Sequence, residues 1–302
     1  MITATNLTKK FGNFTAVDNM TCQIKKGCIY GLVGSNGAGK STFLRMVTGI
    51  YKPDNGNITI NDIPVYNNPD AKKLFAFVPD ELYFLPESSI NRMAKLYASV
   101  YDTFDMERCK TLVEAFQLNP KVSINSFSKG MKRQAAIILA LSCRTEYLFF
   151  DETFDGLDPI MRSLVKSLIC QDVIEKQTTV IITSHSLREL EDICDQLALL
   201  HKGGLVLEND IDSLKTEKFK VQIGFNREFD ESLFSDIEYT KFRKIGSVAN
   251  MIIKGDKDET YNKLKALSPV LIDMLPLTLE EVFTYEMEAL GYDFSNVLKE
   301  DK

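Results

Sequence analysis

The sequence predicts an α/β fold with a mostly parallel sheet, followed by a small α+β domain. Short apolar runs typical of buried strands alternate with helix-like segments through about residue 212, the pattern of strand–helix units in a parallel sheet. One of these runs leads straight into a glycine-rich loop and a helix. Beyond Lys215, several short strand-like runs follow with one helix-like segment among them. We therefore expect two domains, 1–212 and 213–302, since 302 residues can bury one substantial core and a smaller second one.

The elements of the first domain follow from apolar spacing and turn residues. The run Cys28–Val33 predicts a buried strand, and Ile58–Val65 predicts a hairpin or strand around Asn61–Asp62. Residues 89–118 carry apolar side chains three and four apart, which predicts helical structure within a helical subdomain over about 82–140. Further strands are predicted at Tyr147–Phe150, Thr179–Thr183, Leu197–Leu200 and Leu205–Leu207.

The second domain is predicted from shorter runs. They indicate strands at Phe219–Phe225, Ala249–Lys254 and Val270–Met274, a helix at Glu259–Leu267, and a final amphipathic stretch at Leu279–Leu290. We expect this domain to have an accessory or regulatory role.

Charge and cysteine content argue against a nucleic-acid partner and against a structural zinc site. The formal net charge is −6, whereas a surface built for nucleic-acid phosphates needs a basic patch, so we expect no nucleic-acid partner. The six cysteines form no C-x-x-C pair, and only two histidines are present. This pattern predicts reduced thiols and argues against a structural zinc site.

Hydropathy predicts a cytoplasmic protein. No stretch of about 18 uncharged apolar residues occurs, and the longest apolar run, Ala135–Leu141, is too short to span a bilayer. The first residues lack the basic start and the apolar core of a secretory signal. We therefore expect a cytosolic chain.

The glycine-rich loop has the spacing of a P-loop, Gly34-x-x-x-x-Gly39-Lys40-Ser41. Its backbone N–H groups and the following helix N-terminus can surround phosphates, Lys40 can reach the β- and γ-phosphates, and Ser41 can ligate Mg²⁺. ATP and Mg²⁺ are therefore the expected cofactors of a P-loop NTPase core. The residues expected to hold the nucleotide here are Gly34, Ser35, Asn36, Gly37, Ala38, Gly39, Lys40, Ser41 and Thr42.

An apolar strand that ends in two carboxylates supplies the second half of this site. Asp151 follows Tyr147–Phe150 directly, as in a Walker B element, and is expected to hold Mg²⁺. Glu152 comes next and can polarise an attacking water. A surface acidic pair at a strand end is the alternative, which the neighbouring P-loop disfavours.

Residues 1–212 resemble the ATPase subunits of ATP-binding-cassette (ABC) machines, whose motifs occur here in the family's order. The motifs that carry the resemblance are Phe11 within Lys9–Gly12, the signature-like Phe127–Met131 opening a helix at Lys132, the D-loop-like Asp155–Asp158, and Ser184-His185 after a core strand.

This resemblance assigns expected roles. Phe11 would stack on adenine, and His185 would hydrogen-bond the γ-phosphate and the attacking water. Two cassettes of this family sandwich ATP head to tail, so Ser128 and Gly130 would act on nucleotide held by the partner, and Asp158 belongs to the D-loop beside it. His201 has no such context and is expected to be an exposed turn residue.

Two positions depart from the family pattern. The signature is often Leu-Ser-Gly-Gly-Gln, and here Phe127, Lys129 and Met131 replace three of the five residues, which predicts a competent but divergent loop. Asp80 stands where the family usually has glutamine. Either Mg²⁺ offsets this added charge or Asp80 stays back from the nucleotide. Our hypothesis is that Asp80 contacts Mg²⁺ or its water shell; the alternative is that it merely begins a polar loop.

The resemblance implies the ATP-hydrolysing subunit of a transporter, of the export type. Its partners would be a second cassette, identical or related, and an integral membrane permease that holds the chain at the inner face of the cell membrane. The permease is expected to dock near residues 81–100, where Tyr83–Pro86 supply aromatic and apolar side chains, although these could instead form a local core. The segment Leu277–Phe283 resembles one common near the ends of export-type cassettes.

Two other functions are compatible with a cassette. A soluble ABC ATPase could act on ribosomes or DNA, but such proteins usually carry two cassettes, coiled coils or zinc modules. An inactive, nucleotide-binding cassette is the second possibility. The presence of Lys40, Ser41, Asp151, Glu152 and His185 argues against it.

Overall fold

The structure is a computed structural model that describes residues 1–211 and 218–289. The chain divides into two compact units, Met1–Glu208 and Asn209–Lys302. The first ten strands are β1 (Ile2–Phe11), β2 (Phe14–Ile24), β3 (Ile29–Val33), β4 (Asn55–Ile60), β5 (Ile63–Pro64), β6 (Phe75–Val78), β7 (Tyr147–Asp151), β8 (Thr179–Ser184), β9 (Gln196–His201) and β10 (Gly204–Asp210). The helices among them are α1 (Lys40–Val47), α2 (Pro69–Lys73), α3 (Ile90–Val100), α4 (Met106–Ala115), α5 (Lys129–Ser142), α6 (Pro159–Lys176) and α7 (Leu187–Glu191).

A six-stranded sheet carries the core of the first unit, in the order β10-β9-β3-β8-β7-β6. The four pairs β9–β3, β3–β8, β8–β7 and β7–β6 are parallel. Every residue of β3, β7 and β8 is buried, which explains why these strands read as continuous apolar runs and not as alternating ones. The parallel α/β sheet expected from the sequence is confirmed.

A second sheet of the first unit is antiparallel and was not predicted as a separate layer. Its order is β2-β1-β4-β5. The predicted hairpin around Asn61–Asp62 joins β4 to β5, and both turn residues have positive φ angles of 50° and 63°. Aspartate and asparagine tolerate this conformation better than most residues, which is why the pair marks the turn.

The helical stretch expected over residues 89–118 is two helices, α3 and α4. Ser89 caps α3 by accepting a hydrogen bond from the backbone N–H of Arg92, and Asp105 caps α4 in the same way with Arg108. The apolar spacing continues across the break because both helices face the same core, so spacing alone does not reveal the second cap.

The second unit is built on a four-stranded antiparallel sheet in the order β12-β13-β11-β14. The predicted strands and helix are present, and β12 was missed. Its sequence, Tyr239–Ile245, holds three basic residues, as suits an exposed edge strand that must not pair with another chain. The elements are β11 (Lys218–Gly224), β12 (Tyr239–Ile245), β13 (Val248–Lys254), β14 (Leu271–Pro276), α8 (Lys257–Ala266) and α9 (Leu279–Ala289).

Among the helices of residues 1–211 and 218–289, none is long and apolar enough to cross a membrane. All six cysteines are free thiols, five of them buried and Cys170 partly buried, as the reduced-thiol interpretation requires. The last residue of the predicted stretch Leu279–Leu290 lies outside the described residues.

Candidate functional site

The P-loop lies between the buried end of β3 and the start of α1. Gly39 is the residue before the helix and has a φ angle of 108°. A Cβ atom on Gly39 would lie 2.4 Å from the carbonyl oxygen of Ala16, so both the backbone angle and the close approach require glycine. The spacing of the motif is therefore explained by the local packing as well as by phosphate binding.

Lys40 is buried and its ammonium group connects the P-loop to the Walker B carboxylate. Its Nζ donates to the carbonyl oxygen of Gly34 at 2.7 Å and to that of Ser35 at 3.4 Å. It also lies 3.1 Å from Glu152 Oε1, and the two side chains are only 5% and 12% exposed. The two sequence motifs, 112 positions apart (152 − 40), therefore meet in space.

Asp151 is fully buried at the end of β7, beside Ser41 of the P-loop. Its Oδ1 accepts hydrogen bonds from Ser41 Oγ at 3.0 Å and from Thr183 Oγ1 at 2.7 Å. Its Oδ2 is buried and has no hydrogen-bond partner among the described residues. Burial raises the pKa of the Asp151 carboxyl, while the two hydroxyl hydrogen bonds oppose that rise.

Glu152 has a φ angle of 47°, a region that non-glycine residues rarely occupy. Its backbone N–H donates to Thr183 Oγ1 at 2.9 Å. Its Oε2 accepts from the backbone N–H of His185 at 3.2 Å and lies 3.0 Å from His185 Nδ1. Asp155 joins this group, since one ligand atom from each of Glu152, Asp155 and His185 lies within 4.8 Å of the others. The unusual backbone angle of Glu152 and its contacts with neighbouring residues therefore fix the orientation of its carboxylate.

Most of the predicted nucleotide-binding residues line one cleft of about 260 Å³. Gly34 and Ser35 are not among its lining residues, although their carbonyl oxygens accept from Lys40. The sequence did not identify Phe14 and Ala16 as part of this cleft. The lining residues are Phe11, Phe14, Ala16, Asn36, Gly37, Ala38, Gly39, Lys40, Ser41, Thr42, Asp80 and Glu152.

Two aromatic side chains border the cleft from the hairpin of β1 and β2. Phe11 and Phe14 are a facing pair in the strand register, and they are 44% and 61% exposed. Phe11 also packs edge-on against Tyr51, with ring centroids 5.4 Å apart. The sequence signal that could have indicated Phe14 is a phenylalanine on each side of the turn Gly12-Asn13.

Asp80 lines the cleft and pairs with a buried arginine. Arg133 Nη2 lies 3.0 Å from Asp80 Oδ1, and Arg133 Nη1 donates to the carbonyl oxygen of Pro79 at 3.0 Å. Arg133 was not identified from the sequence because 53 residues separate it from Asp80.

Ser128, Gly130 and Asp158 do not line the cleft of their own chain. Ser128 caps α5 by accepting from the backbone N–H of Met131 at 3.2 Å. Asp158 caps α6 by accepting from two backbone N–H groups, each at 3.0 Å. A Cβ on Gly130 would lie 2.7 Å from the carbonyl oxygen of Gly156, so the signature-like and D-loop-like segments touch. A contact of these residues with nucleotide stays a prediction that needs a second chain.

Known proteins resemble this chain in sequence. A family model described as ABC transporter matches residues 17–155. The ABC transporter ATP-binding protein YtrB of Bacillus subtilis is 27% identical over 283 residues, covering 94% of this chain and 97% of the relative. The bacitracin transport ATP-binding protein BcrA of Bacillus licheniformis is 31% identical, covering 73% of each chain. The linearmycin resistance ATP-binding protein LnrL of Bacillus subtilis is 32% identical, covering 68% of each.

Solved structures show the same fold. An ATP-binding subunit of an ABC transporter superposes with a TM-score of 0.66 at 24% identity, covering 71% of this chain and 92% of that one. A dimeric bacterial ABC transporter cassette gives a TM-score of 0.63 at 22% identity, covering 70% and 99%. The predicted P-loop NTPase fold is confirmed, and the relatives' names favour a transport ATPase over an ATPase that acts on ribosomes or DNA. This chain therefore belongs to the ABC transporter family, as an ATP-binding and ATP-hydrolysing subunit.

Proposed function

We propose that the cleft around Lys40, Ser41, Asp151 and Glu152 hydrolyses Mg²⁺-ATP and that the released energy drives export through a separate membrane permease. The observation that carries this proposal is the meeting of P-loop and Walker B groups, with Lys40 Nζ 3.1 Å from Glu152 Oε1 and Ser41 Oγ 3.0 Å from Asp151 Oδ1. Phosphoryl transfer from ATP requires a cation, a hydroxyl and carboxylates that can hold Mg²⁺ and orient water, and a loop of backbone N–H groups. This cleft brings all of these groups together.

The oxygen atoms near Ser41 fit a magnesium ion. Mg²⁺ prefers carboxylate and hydroxyl oxygens and keeps several waters. The buried Oδ2 of Asp151, without a partner among the described residues, is such an oxygen, and Ser41 Oγ lies next to the same carboxylate. When bound, the ion would neutralise negative charge on the β- and γ-phosphates. Asp80, at the edge of the same cleft, remains a candidate contact to the ion's water shell.

Glu152 is our candidate for the residue that polarises the attacking water. His185 holds one of its carboxylate oxygens and Lys40 the other, so the side chain has a defined orientation. His185 does not itself line the cleft, but it contacts Glu152, which does, and its side chain is half exposed. We propose that its ring meets the γ-phosphate of bound nucleotide. Proton abstraction by a carboxylate held within hydrogen-bond reach of its water is the expected chemistry.

The adenine ring is proposed to stack on Phe11. Phe11 lies at the rim of the cleft and exposes nearly half of its surface, and stacking on a purine would bury that surface. Lys9 Nζ lies 5.6 Å from the Phe11 ring centroid, so the ring already has a cation on one side.

A second cassette, identical or related, is proposed to complete the site. Ser128, Gly130 and Asp158 occupy the starts of helices α5 and α6, outside the cleft of their own chain. The positive end of a helix with a serine hydroxyl is well suited to the γ-phosphate of a nucleotide bound by the partner. Head-to-tail pairing of two chains would bring these groups to that phosphate.

The permease is proposed to dock on the loop 81–86 and helix α3, which would hold the chain at the inner face of the membrane. Tyr83 and Leu85 are 80% and 49% exposed, whereas Phe84 between them is buried. Leu96 and Val100, one turn apart on α3, are 43% and 54% exposed. The loop therefore has both a local core and an outward apolar surface, and exposed apolar groups of this kind favour a protein partner.

Export is favoured by the names of relatives, which include a bacitracin transport protein, a linearmycin resistance protein and a Nod factor export protein. The last is from Rhizobium etli and is 29% identical over 92% of this chain, so the likeness extends into residues 213–302. We propose an accessory or regulatory role for that domain.

The test is Mg²⁺-dependent ATP hydrolysis by the purified chain with Glu152→Gln and Glu146→Gln as a matched pair. Glu146 pairs with Lys26 at 2.9 Å and does not line the cleft. We expect Glu152→Gln to lower turnover about 100-fold or more while ATP binding persists, and Glu146→Gln to retain normal turnover. Equal turnover in both variants would remove Glu152 from this role. Co-purification with ribosomes instead of an integral membrane protein would contradict the transport assignment.

A further inference from the structure

Arg133 is a buried positive charge close to the nucleotide cleft. The side chain of Arg133 is 1% exposed and lies on α5, in the second turn after Ser128. Arginine stays charged in proteins, and a buried charge is costly unless it is paired and hydrogen-bonded. The groups that Arg133 meets, the Pro79 carbonyl and the Asp80 carboxylate, both follow strand β6.

Asp80 places a negative charge beside the nucleotide cleft. Its carboxylate is half exposed and lines the cleft together with Lys40, Ser41 and Glu152. An unpaired negative charge here would repel the phosphates of a nucleotide. Its Oδ1 already accepts from Arg133 at 3.0 Å. The guanidinium therefore supplies the countercharge that Asp80 needs.

We propose that Arg133 is a positioning residue that neutralises Asp80 and holds its carboxylate at the edge of the nucleotide cleft. Asp80 and Arg133 together carry no net charge. The pair is therefore electrically equivalent to the neutral glutamine that the family usually has at position 80. This inference rests on the proposed function, because it assigns a role in Mg²⁺-ATP turnover to the same cleft.

The pair also links the cleft to the signature-like loop. Arg133 and the cap residue Ser128 belong to one helix, whose start is packed against the D-loop-like segment at Gly130 and Gly156. A displacement of Asp80 would therefore be passed through the Arg133 ion pair to α5 and its Ser128 end. In the proposed dimer that end serves the nucleotide of the partner, so each cleft would influence the opposite one.

The experiment is a double-mutant cycle with Asp80→Asn, Arg133→Met and the double variant. Asp80→Asn leaves a buried guanidinium without its countercharge, and Arg133→Met leaves an unbalanced carboxylate facing the phosphates. We expect each single variant to lower kcat/KM for Mg²⁺-ATP about tenfold, and Arg133→Met to raise KM in particular. The double variant is neutral at both positions, and the amide oxygen that Asp80→Asn introduces can still accept a hydrogen bond from the ion's water shell. Its kcat/KM should therefore recover to within about threefold of the wild type.

The thermal midpoint of each variant distinguishes a positioning role from a purely structural one. Arg108→Met is the matched control, since Arg108 pairs with the buried Asp172 at 2.7 Å and does not line the cleft. It should lower the midpoint without changing KM. If Arg133→Met does not fold, Arg133→Lys keeps the charge with a different geometry and should give an intermediate kcat/KM with a near-normal midpoint.

The outcomes separate the two proposals. If the single-variant losses multiply in the double variant, or if the single variants change only the midpoint, Arg133 does not position Asp80. If the wild type itself hydrolyses no Mg²⁺-ATP, the proposed function is wrong. A result that differs only among the variants concerns the Arg133–Asp80 pair alone.

Discussion

His185 contacts one carboxylate oxygen of Glu152 twice. The backbone N–H of His185 donates to Glu152 Oε2 at 3.2 Å, and His185 Nδ1 lies 3.0 Å from the same oxygen. The contact spans 33 residues and joins the ends of the adjacent strands β7 and β8. The carboxylate of Glu152 is thus oriented from two sides, by His185 and by Lys40.

Replacing His185 by alanine removes the ring contact and keeps the backbone hydrogen bond. We expect His185→Ala to lower kcat about 100-fold, because Glu152 loses orientation and the γ-phosphate loses a hydrogen-bonding partner. ATP affinity should change less than about threefold, since the P-loop is untouched. His201, predicted as an exposed turn residue, is instead the partly buried last residue of β9. His201→Ala is the control and should retain full turnover, because His201 has no part in the Glu152–His185 contact. A normal kcat for His185→Ala would exclude the ring from the reaction.

Asp151 is a buried carboxylate whose proposed role in holding Mg²⁺ carries a cost in stability. One oxygen has no partner among the described residues, and burial raises the pKa of this carboxyl. The amide of Asp151→Asn can still accept from Ser41 and Thr183 but carries no charge to bury. We expect the variant to unfold about 2–4 °C higher without Mg²⁺ and to lose Mg²⁺-dependent hydrolysis. A lower midpoint in calorimetry would show that the carboxylate stabilises the fold.

Asp172 is a second buried aspartate, and its Oδ1 is paired with two arginines. Burial raises the pKa of this carboxyl too, but here two guanidinium charges oppose the rise. It is 2% exposed and forms ion pairs with Arg108 and Arg144, which connect α4 and the chain before β7 to α6. Asp172→Asn leaves two guanidinium groups without their countercharge, so we expect a loss of about 3 kcal/mol in the free energy of unfolding. Denaturant titration measures this change. Equal effects of the Asp151 and Asp172 changes would contradict the distinction drawn between them.

Local motifs were readable from the sequence, whereas contacts between distant residues were not. Gly34–Ser41 and Tyr147–Glu152 are contiguous, so their spacing alone predicts strand, loop and chemistry. Thr183 holds both Asp151 and Glu152 from the neighbouring strand, and a threonine at the end of an apolar strand carries no signal of that role. The same holds for Arg133, whose partner Asp80 belongs to another element.

Burial also explains why the break between α3 and α4 and the strand β12 were not predicted. The apolar spacing over 89–118 continues through the break between α3 and α4 because both helices share a core. Strand β12 exposes most of its side chains, so its run of lysine and arginine lacks the apolar alternation on which a strand prediction depends.

Phe14 tests whether one or two aromatic rings hold the base. Both Phe11 and Phe14 line the cleft, and Phe14 is the more exposed of the two. Stacking on a base contributes about 1–3 kcal/mol per ring, so we expect Phe11→Ala and Phe14→Ala each to weaken ATP binding about tenfold. Titration with a fluorescent ATP analogue measures the affinity. Tyr66→Ala is a suitable control, since this exposed ring does not line the cleft. If Phe14→Ala behaves like that control, Phe11 alone contacts the base.

The cysteines should be nearly unreactive in the folded protein. Burial raises the pKa of Cys22 to about 12 and also raises the pKa values of Cys109, Cys143 and Cys194. A thiol reacts as its thiolate, so these groups should react slowly with Ellman's reagent at pH 8, and raising the pH to 9 should add little. Cys170 is the least buried and should give the first phase, which Cys170→Ser removes. All six thiols should react in guanidinium. Rapid reaction of several thiols at pH 8 would contradict the packing of these side chains.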